Sequence, residues 1–386
     1  MVKSMKILIE NATILTMNSQ KPFVQNGYLF IDKGIIVTYG EGAPPIELEF
    51  ADYVINESFA VVLPGFVVGM GNILHYLFQF NDYNDNLSNA ISTLTRLELE
   101  TLLEVSFASL AFHGATSVVT LVKEANEKIV QALAEASSNS WTRARFVLPA
   151  SLIHTVNDYE YLKKTLLKGV KDQDAMARKM ISMALLLESK DDLAKLSKEL
   201  IDVVNEDRTY VYVDSEVFEK ALPIAREINN VILLNPRNQI ASPCIYTSID
   251  SWRAGCGIMS YETGFLNPKR SLSILYSVCK DAYATVNVLS HTNSLNNKIG
   301  TSSIRESEQA DIIVLSFREP PYGPLPISNK TVVHAISNAF YTVKTAIVGG
   351  EIVLDNGLHL FVGEEKIKKA GTIINELSKK MLESSK

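Results

Sequence analysis

The chain has 386 residues, 47% of them hydrophobic, and a formal charge of −6. That length buries a large core and points to one big domain with a smaller companion. The acidic balance, with no lysine- or arginine-rich stripe interleaved with aromatics, excludes a nucleic-acid-binding surface. Three cysteines, Cys244, Cys256 and Cys279, cannot all pair and show no C-x-x-C spacing. They read as small buried hydrophobes in a reduced, cytoplasmic protein. The N-terminal MVKSMKILIEN lacks the apolar core of a signal peptide. The uncharged run from Ser58 to Asn81 is long enough to raise a membrane span, but Pro64, Gly65, Gly69, Gly71 and Asn72 interrupt it. A soluble strand with its loop explains those residues better, so no membrane partner is expected.

In chain order, Lys6 to Leu15 alternates loosely, and Gly27–Asp32 and Ile35–Tyr39 are β-like runs about a turn at Asp32-Lys33-Gly34. Residues 40–57 form a polar, proline-containing connection. Ala60–Leu63 then runs apolar into Pro64-Gly65, continues through Val68 and meets Gly69-Met70-Gly71-Asn72. This reads as a buried strand entering a constrained loop. From there to about residue 305 short apolar runs alternate with helical patterns, which argues for βα units on a parallel sheet. Strands are predicted at Thr116–Leu121, Phe146–Ala150, Met183–Leu187, Tyr210–Val213, Val231–Leu234 and Gly257–Met259. Helices are predicted at Leu97–Phe112, Asp191–Asn205 and Glu216–Asn229. With Ala60–Leu63 the strands number seven, one short of a (β/α)8 barrel. Ala310–Phe317, Lys344–Val348 and Glu351–Leu354 are β-like again, the last two joined by the hairpin signal Gly349-Gly350. Residues 366–386 are lysine-rich and read as a surface helix.

The segments PGFV (from Pro64), NPRNQ (from Asn235), ADIIVLSF (from Ala310) and TAIVGGEIVLDNG (from Thr345) resemble those of the amidohydrolase superfamily. The nearest branch is its cytosine-deaminase-like and chlorohydrolase-like enzymes, which include nucleobase and S-adenosylhomocysteine deaminase relatives. The resemblance covers nearly the whole chain. It implies an α/β fold with a distorted TIM (β/α) barrel over 59–304, in which the sixth βα unit is missing or remodelled. It further implies a small β-sandwich built from both chain ends, 1–58 and 305–362, and a C-terminal helix at 363–386. The activity it implies is metal-dependent hydrolysis of C–N bonds, of the deaminase or chlorohydrolase type, with zinc or iron. Such an enzyme needs imidazoles and a carboxylate to hold the metal that activates water, and an acid/base pair for the leaving nitrogen.

In this fold the chemistry sits at the C-terminal ends of the strands. Laid on the family pattern, the first histidine pair falls on Met70 and Asn72. The fifth-strand histidine and glutamate fall on Tyr212 and Ser215, and the eighth-strand aspartate on Thr263. A thioether, an amide and hydroxyls do not replace imidazoles and carboxylates on zinc or iron. His75, just beyond Asn72, is the nearby imidazole open to reading as a displaced ligand, although a place on the barrel wall or in solvent explains it more simply. The carboxylates near strand ends are Glu188, Asp214, Glu216 and Glu262. Glu188 also reads as a residue favoured by the next helix dipole, and Asp214 or Ser215 with Glu216 as an N-cap and first turn. Glu262 would need a bulge to reach the site. His113 reads as a helix-terminal residue on the dipole. His154, His291, His334 and His359 show no ligand spacing, and there is no P-loop, dinucleotide fingerprint or nucleophile elbow.

The expectation is therefore an amidohydrolase-like protein that has lost metal binding and catalysis, with no cofactor. A small-molecule ligand in the barrel mouth is its expected partner, with a homodimer or an assembly with a related subunit. Two other functions compete: a hydrolase with a metal-free or relocated carboxylate site, and a non-catalytic binding or assembly subunit.

Overall fold

A computed structural model describes residues 5–78, 84–122, 125–168, 180–214, 226–234, 244–248, 254–256, 301, 303–384 and scattered positions of 217–223 and 268–299. The N-terminal strands are β1 (Ile7–Leu15), β2 (Phe23–Asp32), β3 (Ile35–Glu41), β4 (Tyr53–Asn56) and β5 (Ala60–Pro64). Next come β6 (Phe66–Gly71), α1 (Asn84–Thr93), α2 (Arg96–Phe112), β7 (Ala115–Leu121), α3 (Glu127–Asn139), β8 (Arg143–Pro149) and α4 (Val156–Lys168). They are followed by β9 (Ile181–Leu187), α5 (Lys190–Lys195), α6 (Lys198–Glu206), β10 (Tyr210–Asp214), β11 (Val231–Leu234), β12 (Cys244–Ser248) and β13 (Ala254–Cys256). The C-terminal part holds β14 (Ile312–Ser316), α7 (Asn329–Ser337), β15 (Thr342–Val348), β16 (Glu351–Asp355), β17 (Leu358–His359) and α8 (Glu364–Ser384).

Two compact units result. One comprises Met1–Val68, Leu110–Ser117 and Asn267–Leu360; the other Gly69–Ser109, Val118–Leu266 and Phe361–Lys386.

The first unit carries a nine-stranded sheet in the order β17-β16-β15-β14-β5-β1-β2-β3, with β4 beside β1. Both ends of the chain thus share one sheet. Its core is aliphatic: Ile7, Ile9 and Ile14 of β1 meet Val62 of β5 and Ile312 and Val314 of β14. The turn between β2 and β3 is made by Lys33 (φ 52°) and Gly34 (φ 74°), the two left-handed residues that a tight hairpin demands.

This sheet corrects one expectation. Ala60–Leu63 does not open the barrel; as β5 it runs parallel to β1 and antiparallel to β14, with Val62 opposite Val314. The chain changes sheets at Pro64-Gly65. The Gly65 N–H still donates to Asp311 O at 3.0 Å, whereas the Phe66 N–H already donates to Gly114 O at 2.9 Å. Both strands are apolar on both faces, so periodicity cannot show that one run is two strands in different sheets.

The second sheet has the order β13-β12-β11-β10-β9-β8-β7-β6. Strands β8 to β11 pair in parallel, with Val147 opposite Ala184, Leu186 opposite Tyr212, and Asp214 opposite Leu234. Beyond β11 the pairing turns antiparallel through β12 and β13. The result is a mixed α/β fold with a curled parallel sheet. Every residue of β7 and β8 is buried, the mark of parallel strands covered on both faces. Phe146 meets Phe107 of α2 edge-on, centroids 6.5 Å apart, so its face of the sheet is the one that helix covers. Strand alternation puts Val147, Ala184, Leu186, Tyr212 and Asp214 on the other face.

The expected single helix Asp191–Asn205 is two. Ser197 interrupts it: its side chain accepts the Leu200 N–H at 3.2 Å and starts α6 afresh, since a serine oxygen competes well for free helix amides. Most of Glu216–Asn229, the NPRNQ segment and all of Gly257–Met259 lie outside the described residues. The C-terminal helix α8 is held to its unit by Lys366, which pairs with Glu104 of α2, and just ahead of it Phe361 stacks on Trp141 with centroids 5.5 Å apart. No described helix is long and apolar enough to cross a membrane.

Candidate functional site

Strand β6 ends at Gly71, and Asn72 opens a short 3-10 turn, Ile73–Phe78. The Asn72 Oδ1 accepts the Leu74 N–H at 3.0 Å, while the Ile73 N–H donates to Thr120 Oγ1 at 3.0 Å. A short amide side chain is well suited to this capping geometry. At the position the resemblance gives to a metal-binding histidine, Asn72 thus starts a turn. Thr120, buried near the end of β7, pins that turn; its only sequence signal is a hydroxyl at the end of an apolar strand. Tyr76, in the same turn, is almost wholly buried, and burial pushes its phenol up to about 12. Met70 lies in β6 and His75 in the turn, and their side chains are outside the described residues.

Glu188 stands just past β9. The N–H groups of Glu188 and Ser189 donate to Asp192 Oδ2 at 2.9 and 2.8 Å, and the Asp192 N–H donates back to Ser189 Oγ at 3.2 Å. This is a reciprocal capping box with aspartate in the glutamate's usual role. The helix-start function considered for Glu188 therefore belongs to Ser189 and Asp192. Glu188, half-buried, sits one residue ahead at the strand end.

On β10, Tyr212 is fully buried and Asp214 is 7% exposed. They share a face, with Leu186 and Ile232 beside the tyrosine and Leu234 beside the aspartate. Asp214 is the last residue of its strand, so a buried carboxylate occupies a position where this kind of fold places its chemistry. Ser215, Glu216, Glu262 and Thr263 lie outside the described residues.

The donors described at or near the strand ends are an amide oxygen engaged in a turn, a buried phenol and two carboxylates, Glu188 and Asp214. Zinc or catalytic iron takes three or four converging imidazole, thiolate or carboxylate groups. Among the described residues no three His, Cys, Asp or Glu side chains gather to hold an ion. Among the described residues, that set is too small to hold such a metal.

His113 follows α2 and differs from expectation. Burial first, and the nearby Lys269 charge second, lower its pKa to about 4. A neutral imidazole adds no charge to a helix dipole, so desolvation overrides that role. Tyr341, wholly buried, donates its hydroxyl to the His113 carbonyl at 3.1 Å.

No family model matches the sequence, and no curated protein matches it. Solved structures do. The atrazine chlorohydrolase of Arthrobacter aurescens TC1 complexed with zinc aligns over 95% of this chain and 100% of its own, at 11% identity and a TM-score of 0.69. An adenosine deaminase from Xanthomonas campestris with bound zinc aligns over 97% and 98%, at 13% identity and a TM-score of 0.67. An amidohydrolase from an environmental sample of the Sargasso Sea aligns over 98% and 100%, at 14% identity and a TM-score of 0.69. Likeness at such identities is likeness of fold, and by it this chain has the fold of the amidohydrolase superfamily.

Proposed function

We propose that this chain is an amidohydrolase-fold protein of the deaminase and chlorohydrolase type that has given up metal-dependent hydrolysis and binds a small molecule at the barrel mouth. The reading includes a barrel remodelled at its sixth βα unit, a sandwich-like packing of the terminal strands, and a cytoplasmic homodimer or assembly with a related subunit. Tyr212 carries the proposal. A fully buried phenol stands where the resemblance implies a metal-binding histidine, with Leu186 and Ile232 as its strand neighbours. Asn72, committed to its turn, supports the same conclusion.

Metal analysis by mass spectrometry on protein purified without chelator tests this reading. The expected content is below about 0.1 equivalent of zinc, iron or manganese per chain, because a competent site holds its ion through purification. Near-stoichiometric metal together with metal-stimulated deamination overturns it.

A hydrolase with a relocated carboxylate site is the second reading, and Asp214 favours it. A buried carboxylate at the end of a barrel strand is the kind of group that serves as general base. Under that reading, metal-independent turnover of a nitrogen heterocycle is abolished in Asp214→Asn.

A further inference from the structure

The chain contains two asparagine–glycine steps, Asn26-Gly27 and Asn356-Gly357, and both asparagines are exposed in the left-handed region, at φ 44° and 48°. We propose that Asn356 is a modification site, at which the folded protein spontaneously deamidates its own turn to aspartate and isoaspartate, and that the fold protects Asn26 from the same reaction. The inference concerns the first unit and does not depend on the function proposed above.

The only co-reactant is water. After losing its proton, the Gly357 backbone nitrogen attacks the Asn356 Cγ, and the new C–N bond closes a succinimide ring. The side-chain amide leaves as ammonia, taking up a proton in place of the one the attacking nitrogen gave. Water then opens the ring at either carbonyl, leaving aspartate or isoaspartate. Glycine suits the attack because no side chain crowds its nitrogen. The nitrogen reaches Cγ only if the peptide between the two residues rotates about the asparagine Cα–C bond. A hydrogen bond or tight packing on that peptide therefore holds the reaction back.

The two steps differ at that peptide. The pairing of Asp355 with Leu358 leaves only Asn356 and Gly357 at the tip of the β16–β17 hairpin. The Asn356 N–H donates to Lys344 O at 2.8 Å, a restraint on the far side of the Cα from the bond that must turn. Gly357 is exposed, nothing lies within 4 Å of a Cβ built on it, and β17 beyond it is two residues long. Opening such a hairpin end breaks little structure. At Asn26 the peptide itself is tied, its carbonyl accepting the Gly42 N–H at 2.9 Å. Gly27 lies within β2, opposite Ala12 of β1 and Glu41 of β3. A Cβ on it would stand 2.4 Å from the Gly40 oxygen and 2.6 Å from a Val24 methyl. Rotation there requires three strands to part.

Isoaspartate routes the main chain through the side-chain carbons and lengthens a turn whose fit sets the hairpin register. The pairing of Leu354 with His359 and of Asp355 with Leu358 is the structure it removes.

The experiment is timed incubation of the full chain at mildly alkaline pH, followed by peptide mass mapping. In the native protein Asn356 is expected to deamidate at least about tenfold faster than Asn26. In concentrated urea, where neither turn exists, the two rates are expected to agree within about threefold. Asn356→Gln, whose longer side chain closes the ring poorly, is expected to stop the reaction at the turn and leave Asn26 unchanged. Chains carrying isoaspartate are expected to be cut sooner by chymotrypsin after Leu358. A native preference below about tenfold, or one that persists in urea, overturns the proposal. Equal cutting of modified and unmodified chains overturns the loss of β17.

Discussion

Replacing Gly350 with alanine is expected to cost about 3 kcal/mol of stability, by far more than alanine at a glycine in open space. Gly349 and Gly350 form the β15–β16 turn at φ 58° and 83°, both left-handed. A side chain at such a φ costs roughly 1–2 kcal/mol. Here a steric penalty is added, because a Cβ on Gly350 would lie 2.3 Å from the Gly34 Cα and 2.9 Å from its nitrogen. Backbone cannot swing aside as a side chain can, and overpacking of this sort costs roughly 1–3 kcal/mol more. The turns of two hairpins distant in sequence press together at this point. Ala310 bridges them, accepting the Gly350 N–H at 3.0 Å and donating its own N–H to Gly34 O at 2.9 Å, and the Gly349 N–H donates to Asp311 Oδ1 at 2.6 Å. Gly357 provides the comparison: its φ is +80°, but nothing lies within 4 Å of its would-be Cβ. Gly357→Ala should therefore lose only the conformational part, roughly 1–2 kcal/mol. Equilibrium urea unfolding of both variants measures the difference. Equal losses would show that the two turns are not in contact in solution.

Acid is expected to destabilise the first unit well above the pH at which carboxylates protonate. His113 and His359 both have pKa values lowered from 6.5 to about 4 by burial, with the Lys269 charge contributing at His113. In the unfolded chain each imidazole takes up a proton as pH falls through 6.5, whereas in the folded protein it stays neutral until about 4. Proton uptake by the unfolded state then pulls the equilibrium towards unfolding. The stability associated with the neutral imidazoles is complete above pH 6.5 and is lost as pH falls towards 4. The shift corresponds to at most about 3 kcal/mol per histidine, less at the half-buried His113, where solvent screens part of it. Urea midpoints measured from pH 7 to pH 4 should fall steeply. In the His113→Gln/His359→Gln double variant they should fall less, from a lower starting stability. A double variant as steep as the parent would assign the acid sensitivity to other groups.

Much of the strand framework was legible in the sequence. β7 to β11 fall within a few residues of their expected places, because fully buried parallel strands leave short, bounded apolar runs. The C-terminal hairpin was legible through Gly349-Gly350, since that turn requires two left-handed residues. The break between α5 and α6 was harder, because Ser197 acts through its hydroxyl and leaves the apolar spacing intact.

Less of the candidate site was legible. Alignment to a motif could mark Tyr212 and Asn72 as replacements, yet not that one is fully buried and the other caps a turn. The Ser189–Asp192 box is written in the sequence as a serine followed three residues later by an acidic residue, with Glu188 just outside it.

By itself, then, the sequence determined the local conformations: which stretches are strands, which turns need glycine, and which ligand types are missing from a familiar pattern. The tertiary structure alone decided that Ala60–Pro64 belongs with the chain ends, that Gly350 abuts Gly34, and that Asn26-Gly27 is tied into a sheet where Asn356-Gly357 stands open. The division has a physical cause. Periodicity and turn chemistry are set by neighbours a few residues away, whereas sheet membership, close backbone approach and the space around a turn depend on partners far along the chain that local sequence does not specify.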